Sequence, residues 1–376
     1  MRDAVITTAI RTPVGKRSGG AFNDFPVNDL AALVIREVID RSGIDPNMID
    51  EVMMGQRTQN TASNIARYAL LAAGLPTSIA AMTVQRTCAS SLQAIASAAQ
   101  NIQMGLEDVI IAGGVEIMTQ WPAELALIPN SPDECGGNNM GITAENIQKR
   151  YNISREDQDE FAYLSHTRAW KATQAGKFKD EIVPVTIPSE GGEPTIVDTD
   201  ETIRPNTTPE KLAKLEPSYI TGGTVTAGSA SPICDGAAAL LLVSKEKANE
   251  LGLEPLATYK VSAVAGLDPA YMGLGPVYAV PKALKLAGIK LEDIDLIELN
   301  EAFSAQFIAC ERKLGLNRDI VNVNGGALAL GHPIGATGSK IMVTLLHEMK
   351  RRSVRYGMVT MCCGGGQGMA TIVERK

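Results

Sequence analysis

Two stretches of this chain, far apart in sequence, carry the same pattern, and that duplication restricts the fold more than any other feature. Ser42–Gly55 and Ala287–Asn300 align without a gap: Gly43-Ile44 matches Gly288-Ile289, Ile49-Asp50 matches Ile294-Asp295, and an apolar strand follows in both. Each follows an apolar-periodic helix, about 28–42 and 276–287, with glycine near its C-terminal end. The parallel continues downstream. Cys88 lies 44 positions beyond Ile44, at the end of Thr83-Val84-Gln85-Arg86-Thr87, and His332 lies 43 beyond Ile289, after Asn322-Val323-Asn324-Gly325-Gly326. Each segment then enters a long helix, Ala89–Met104 closed by Gly105 and roughly 336–350, and each helix leads to an apolar strand that ends in glycine, at 109–114 and 358–366. Continuous apolar strands alternating with helices predict a buried parallel α/β sheet, and three matches in register predict two similar halves.

A polar stretch rich in Pro and Gly, about 119–225, separates the copies. It opens with turn residues at Pro129-Asn130-Ser131-Pro132 and Gly136-Gly137. A helix is expected at Ser154–Ala175, capped by Ser154 with acidic residues in its first turn. The organisation expected is an N-terminal half at 1–118 and 226–250, an inserted loop or lid domain at 119–225, and a C-terminal half at 251–376.

Composition narrows the function classes. The 376 residues are 45% hydrophobic and 20% charged, enough for a full core and unlike a disordered chain. A net charge of −7 without a long Lys/Arg run argues against a nucleic-acid partner. The N-terminus reads as a short strand rather than a signal peptide, and no 18-residue apolar span is present, so a soluble cytoplasmic protein with no membrane partner is expected. Six cysteines, at 88, 135, 234, 310, 362 and 363, show no zinc-site spacing, and in a chain of this kind a disulfide framework is not expected.

The residues suited to chemistry sit at strand ends. Of the three histidines, His166 and His347 read as helix-surface or helix-end residues. His332 differs: the segment Gly325–Gly338 holds five glycines in fourteen residues, a backbone able to approach a ligand closely. Cys88 stands at a helix N-terminus, where the dipole and free N–H groups favour thiolate and can hold an oxyanion. Cys362 and Cys363 end a strand and run into Gly364-Gly365-Gly366. Strand alternation points the two thiols to opposite faces, so one of them should reach the site. Asn300 closes the strand of the second copy, where α/β proteins gather ligands, and a helix cap is an equal reading of it.

These segments resemble the thiolase family over essentially the whole chain. The resemblance rests on Arg86-Thr87-Cys88-Ala89-Ser90, Gly113–Met118, Met140–Asn146, Gly223–Gly228, Asn300-Glu301-Ala302-Phe303, Gly331-His332-Pro333 and Cys362–Gly366. It implies a duplicated α/β fold with mixed, mainly parallel sheets layered with helices as αβαβα. It also implies an acyltransferase of fatty-acid metabolism and β-oxidation that cleaves 3-ketoacyl-CoA, or condenses acetyl-CoA with acyl-CoA, through an acyl-cysteine. Cys88 corresponds to the nucleophile and His332 to the group that activates it and binds the enolate oxygen. Asn300 corresponds to the holder of a water in a first oxyanion hole, and Cys362 to the general acid/base. The N–H groups of Cys88 and Gly364 would form a second oxyanion hole. Met140, Ser231 and Phe303 match the acyl and pantetheine channel. No permanently bound cofactor or metal is implied; coenzyme A and acetyl-CoA are substrates, and a homodimer or homotetramer is expected. The chemistry agrees: a thiolate suits thioester exchange, and an enolate needs preorganised donors.

The sequence departs from many relatives at Ser91, where glycine is common, and at Ser229 and Cys234, where asparagine is common. Asn139 replaces a histidine of many short-chain thiolases, and 21 residues separate Met118 from Met140, a shorter stretch than in many relatives. Two rival readings remain at this point. One is a ketoacyl synthase-like condensing enzyme, disfavoured by scarce histidine. The other is a non-catalytic thiolase-like lipid-binding protein, disfavoured by the intact Cys88, Asn300, His332 and Cys362.

Overall fold

The computed structural model describes residues 2–57, 64–121, 140–189 and 192–376. Its strands are β1 (Ala4–Arg11), β2 (Gly15–Lys16), β3 (Glu51–Gly55), β4 (Ala80–Val84), β5 (Val109–Ile117), β6 (Val185–Ile187), β7 (Thr195–Val197), β8 (Cys234–Ser244), β9 (Ala257–Gly266), β10 (Leu296–Leu299), β11 (Tyr356–Cys363) and β12 (Gln367–Glu374). The helices that matter here are α1 (Val27–Ser42), α2 (Ile65–Ala72), α3 (Ser90–Met104), α4 (Met140–Tyr151), α5 (Arg155–Gln174), α6 (Gly275–Ala287), α7 (Ser304–Leu314) and α8 (Thr337–Arg352).

The strands order as β10-β11-β12-β9-β1-β8-β5-β3-β4, with β2 on β8, and β6-β7 stand apart as a hairpin. The duplication is visible in this order. β3 pairs parallel with β5, as β10 does with β11; β5 pairs antiparallel with β8, as β11 does with β12; β8 pairs antiparallel with β1, as β12 does with β9. Where β4 lies parallel to β3, a parallel bridge joins Ile297 to Val321. Among the described residues, the two half-sheets pair with each other at Val5–Thr258 and Ile6–Ala257. The helices before the matched segments both end on a left-handed glycine, Gly43 (φ 66°) after α1 and Gly288 (φ 68°) after α6, a conformation that costs glycine little.

One expectation needs correction. The sheets are mixed, but antiparallel ladders outnumber parallel ones. The reason is local: β11 and β12 are joined by the tight Gly364–Gly366 turn, and strands so connected must run antiparallel. The parallel pairing predicted from the apolar runs is confined to the outer strands of each half.

The core forms three slabs. One packs α1 and α2 on an outer face of the first half, through Leu30, Val34, Ile35 and Leu70. Another packs α6 and α7 on an outer face of the second, through Ala279, Val280, Phe307 and Ile308. The third holds α3 and α8 between the half-sheets, with Leu92, Ile95, Met342 and Leu346 fully buried. This gives the helix–sheet–helix–sheet–helix layering. The central helices touch closely: a Cβ on Gly338 would sit 2.5 Å from the Leu92 backbone nitrogen, and Ser91 Oγ accepts the Ser339 N–H at 2.9 Å. Ser91, a departure noted in the sequence, therefore ties the two halves. Among the described residues no helix is long and apolar enough to cross a membrane.

Candidate active site

The topology delivers three strand-end loops to one end of the molecule. The first follows β4. Val84 is its last residue and α3 begins at Ser90, so Cys88 sits in a sharp connection whose preceding residue, Thr87, takes a left-handed φ of 45°. Such backbone is strained for a threonine and is held by its surroundings. Ser90 Oγ accepts the Arg86 N–H at 2.9 Å and donates to the Thr87 carbonyl at 2.6 Å, closing the turn. Cys88 stays partly exposed.

The second loop is the glycine turn after β11. Thr87 Oγ1 donates to the Gly364 carbonyl at 3.3 Å, and the N–H groups of Gly364 and of Cys88 itself face the Cys88 sulfur. Met140, at the start of α4, leans on this turn: a Cβ on Gly364 would lie 3.6 Å from its sulfur. Strand alternation works as anticipated. Cys362 points into a pocket wall of Ala144, Val225, Ala230, Met272, Ala302 and Phe303, whereas Cys363 points into the central slab. Both thiols lie within electrostatic reach of Cys88.

The third loop carries His332. Its Nδ1 lies 2.6 Å from Thr337 Oγ1, and that hydroxyl donates to the Pro333 carbonyl at 2.8 Å. Thr337 therefore accepts from Nδ1–H, which leaves Nε2 bare. Nε2 faces Asn300 Nδ2 at 3.5 Å, the long limit of a hydrogen bond. Asn300 follows β10 and donates its N–H to the Thr360 carbonyl of β11, two residues before Cys362. Its Oδ1 is buried without a hydrogen-bond partner among the described residues. Asn300 does not cap α7; Phe303 occupies that position.

Electrostatics correct two expectations. Burial pushes the Cys88 thiol up, against the lowering expected at a helix N-terminus; the Gly364 N–H, Arg57 and its own N–H oppose the shift without reversing it. Cys362 is raised well above an ordinary thiol, first by burial and then by the neighbouring Cys88. His332 is lowered to about 3, first by burial and then by Lys340, so it is neutral at physiological pH. His166 is also corrected: it is not a surface residue but 3% exposed, accepting the Arg204 N–H on Nδ1 at 3.2 Å, with its pKa lowered by burial to about 4. His347 is half-buried, with Nε2 3.0 Å from the Ala9 carbonyl oxygen.

A cleft of about 560 Å³ opens at Ala230, a residue that also belongs to the Cys362 pocket wall. Ser231 lines it, its N–H donating to the Ala302 carbonyl at 3.0 Å. Tyr219 lines it as well, and the Phe303 ring packs edge-on against Tyr219 at 6.0 Å. Lys16, Arg17 and Arg204 line the same cleft. Sequence reasoning missed Tyr219 and Thr337. A lone aromatic in a polar loop and a threonine at a helix start carry no signal until the fold places them. Cys135, Asn139 and the turn residues at 129–137 lie outside the described residues.

The family is settled by comparison. The family described as "Thiolase, N-terminal domain" matches residues 4–246, and "Thiolase, C-terminal domain" matches 253–375. A Bacillus subtilis protein named 3-ketoacyl-CoA thiolase is 47% identical over 391 residues, covering 100% of both chains. A Cupriavidus necator acetyl-CoA acetyltransferase is 45% identical over 394 residues, also covering 100% of both. Among solved structures, human mitochondrial 3-ketoacyl-CoA thiolase superposes with a TM-score of 0.95 at 37% identity, covering 100% of this chain and 99% of that one. The Bacillus anthracis acetyl-CoA acetyltransferase gives 0.92 at 44%, with the same coverage. The chain belongs to the thiolase family. It is an acyltransferase with thiolase activity, and the condensing-enzyme and lipid-carrier readings fall away.

Proposed function

We propose that Cys88, Cys362, His332, Asn300 and Gly364 divide the thiolase reaction on a 3-ketoacyl-CoA among them. The observation that carries this is the contact between the Cys88 loop of one half and the glycine turn after Cys362 of the other, where Thr87 Oγ1 donates to the Gly364 carbonyl at 3.3 Å and the Gly364 N–H is directed at the Cys88 sulfur. In cleavage, Nε2 of His332 takes the Cys88 proton and the thiolate attacks the 3-keto carbonyl. The oxygen of that adduct is held by the N–H groups of Cys88 and Gly364. The carbon–carbon bond breaks, its electrons pass to the departing acetyl-CoA enolate, and the Cys362 thiol protonates that carbon. Protonated His332, with a water held by the free Oδ1 of Asn300, stabilises the enolate oxygen meanwhile. Cys362 then takes the proton of an incoming CoA thiol, which attacks acyl-Cys88 and frees the shortened acyl-CoA; the departing Cys88 thiolate takes its proton back from His332. Condensation is the reverse.

The raised thiols suit this division. A Cys362 that is protonated at rest is a donor, and a Cys88 that is protonated at rest needs the bare imidazole nitrogen. Coenzyme A would enter along the cleft past Ser231, Phe303 and Met140, with Lys16, Arg17 and Arg204 meeting its phosphates. The segment 119–225 acts as a lid domain on the first half, whose strands β5 and β8 bracket it. The free thiols of the described residues suit a reducing compartment, the cytoplasm. The edge strand β4, with exposed Met82, Tyr68 and Leu71 nearby, supports a homodimer at that edge. The relatives' names cover both degradative and acetyl-transferring roles, so the test is a CoA-dependent cleavage assay across a chain-length series of 3-ketoacyl-CoA substrates. Turnover that is lost in Cys88→Ala supports the reading, and turnover that persists in it ends the reading.

A further inference from the structure

Cys234 has no place in the scheme above, yet its sulfur lies 3.0 Å from the backbone nitrogen of His332, which donates to it. The contact joins residues 98 positions apart, and both are buried. Cys234 opens β8, whose eleven residues are all buried and which is paired on both sides by β1 and β5. Its position is fixed further by pairing with Lys16 of β2. The next residue anchors a different loop, since the Asp235 carboxylate accepts the Thr119 N–H at 3.0 Å and its hydroxyl at 2.7 Å. The start of β8 is thus a rigid block.

The His332 loop is shaped around this sulfur. Gly331 takes a left-handed φ of 78°, and a Cβ there would lie 2.9 Å from the Cys234 sulfur and 2.7 Å from Val14 Cγ1. No larger residue fits between the sulfur and the loop. His332 is therefore held at two points: Thr337 fixes the ring through Nδ1, and Cys234 fixes the backbone from which the ring swings. The ring anchor comes from the C-terminal half and the backbone anchor from the N-terminal half, the half that carries Cys88.

We infer that Cys234 is a positioning residue for catalysis: its sulfur, by accepting the His332 N–H, sets the distance between the imidazole of one half and the nucleophile of the other. The inference rests on His332 being the group that takes the Cys88 proton. A buried N–H left without an acceptor relaxes toward another partner, and a shift of about 1 Å in a reacting group costs on the order of a hundredfold in rate. The Cys234 side chain does not line the cleft, so substrate binding should change far less than turnover.

The test compares full-length Cys234→Ala, Cys234→Ser and Cys234→Asn with a His332→Ala reference, by steady-state cleavage kinetics, thermal melting and the pH dependence of Cys88 alkylation by iodoacetamide. Cys234→Ala should lower kcat by roughly 10- to 100-fold with KM within about twofold, and shift Cys88 alkylation to higher pH. Cys234→Asn, which offers a carbonyl oxygen, should recover most of the loss, and Cys234→Ser, whose side chain is shorter, should recover less. A folded Cys234→Ala with wild-type kcat and alkylation profile overturns the inference. So does a loss of activity that only tracks a lower melting temperature. If Cys234→Ala does not fold, the other two decide: Asn above Ser in kcat supports the inference, and equal values overturn it. Wild-type turnover in His332→Ala would instead refute the assignment of His332, a separate failure.

Discussion

The two halves share one strand order yet treat the same junction differently. In the first half, five residues lead from the end of β4 to the start of α3, and Cys88 stands among them. In the second, fifteen residues lead from Val321, which bridges β10 as β4 bridges β3, to the start of α8. Both junctions contain a left-handed non-glycine residue close to the strand end, Thr87 at φ 45° and Asn322 at φ 46°. The short junction holds its thiol beside a helix start. The long one has room for a helical turn at Ala327–Leu330 and a glycine loop, which carry His332 back to Asn300. The next strands diverge too. β5 ends near Glu116, whose carboxylate accepts the N–H groups of Arg57 and of Gly335 in the other half, whereas β11 ends in Cys362 and the glycine turn. A duplicated scaffold places equivalent strand ends together; loop length then decides whether a junction supplies a nucleophile or a base.

The division is open to test by cost. Cys88→Ala removes the only group that can carry the acyl chain in the proposed route. Turnover should fall by about 10⁴-fold or more, the scale on which losing a nucleophile is felt. His332→Ala and Cys362→Ser should each cost less, roughly 10²- to 10⁴-fold, because water or a neighbour takes over part of a proton transfer. The two should also separate in half-reactions followed by rapid quench. Cys362→Ser should still acylate Cys88 from a thioester and fail at carbon–carbon bond formation. If His332→Ala costs more than Cys88→Ala, or Cys362→Ser loses both half-reactions equally, the halves are not divided in this way.

Asn300→Ala sharpens the comparison further, since no counterpart of Asn300 serves the first half. Its orphan Oδ1 and its contact with His332 are both lost. Loss of one donor or water holder at an oxyanion site costs up to about 10²-fold, with the effect in kcat for condensation rather than in acylation of Cys88. An effect confined to KM would place Asn300 in binding instead.

Much of this was legible in sequence for a definite physical reason. Buried strands and the glycine turns that end them leave little freedom of residue choice, so the repeat survived at Gly43 and Gly288 and the strand ends could be read. Alternation along β11 assigned Cys362 and Cys363 to opposite faces correctly. What failed depended on surroundings. The Cys88 thiol was expected low from its helix N-terminus, but burial outweighs the Gly364 N–H, Arg57 and its own N–H there. His166 looked like a surface residue because α5 is polar almost all round, yet that helix lies against the second half, with Ala169 filling the space a Cβ on Gly325 would need. The strand directions were misjudged because apolar runs report burial on both faces, not direction. Cys234 and Thr337 act through contacts 98 and 5 residues away in sequence, and neither contact is marked in the sequence until the fold places the partners.

The smallest effect separates the halves by acid response. The first-half junction carries no histidine, whereas the second holds His332 and packs on the α5 helix that holds His166. Both imidazoles are kept neutral by burial, to about 3 and about 4. A histidine in the unfolded chain protonates near 6.5. Between 6.5 and those lower values the unfolded chain binds protons that the folded one refuses, so stability falls as pH falls. Each such group contributes a slope of about 1.4 kcal/mol per pH unit. His166→Asn keeps an acceptor for the Arg204 N–H but cannot protonate. Relative to the parent, it should therefore gain about 1.4 kcal/mol for each unit of pH lowered from about 6.5 towards 4. Denaturant midpoints measured for both proteins at several pH values in that range give the difference directly. A difference that stays constant across the range would mean that His166 takes up its proton in the folded state as readily as in the unfolded one, and that the acid response does not come from His166.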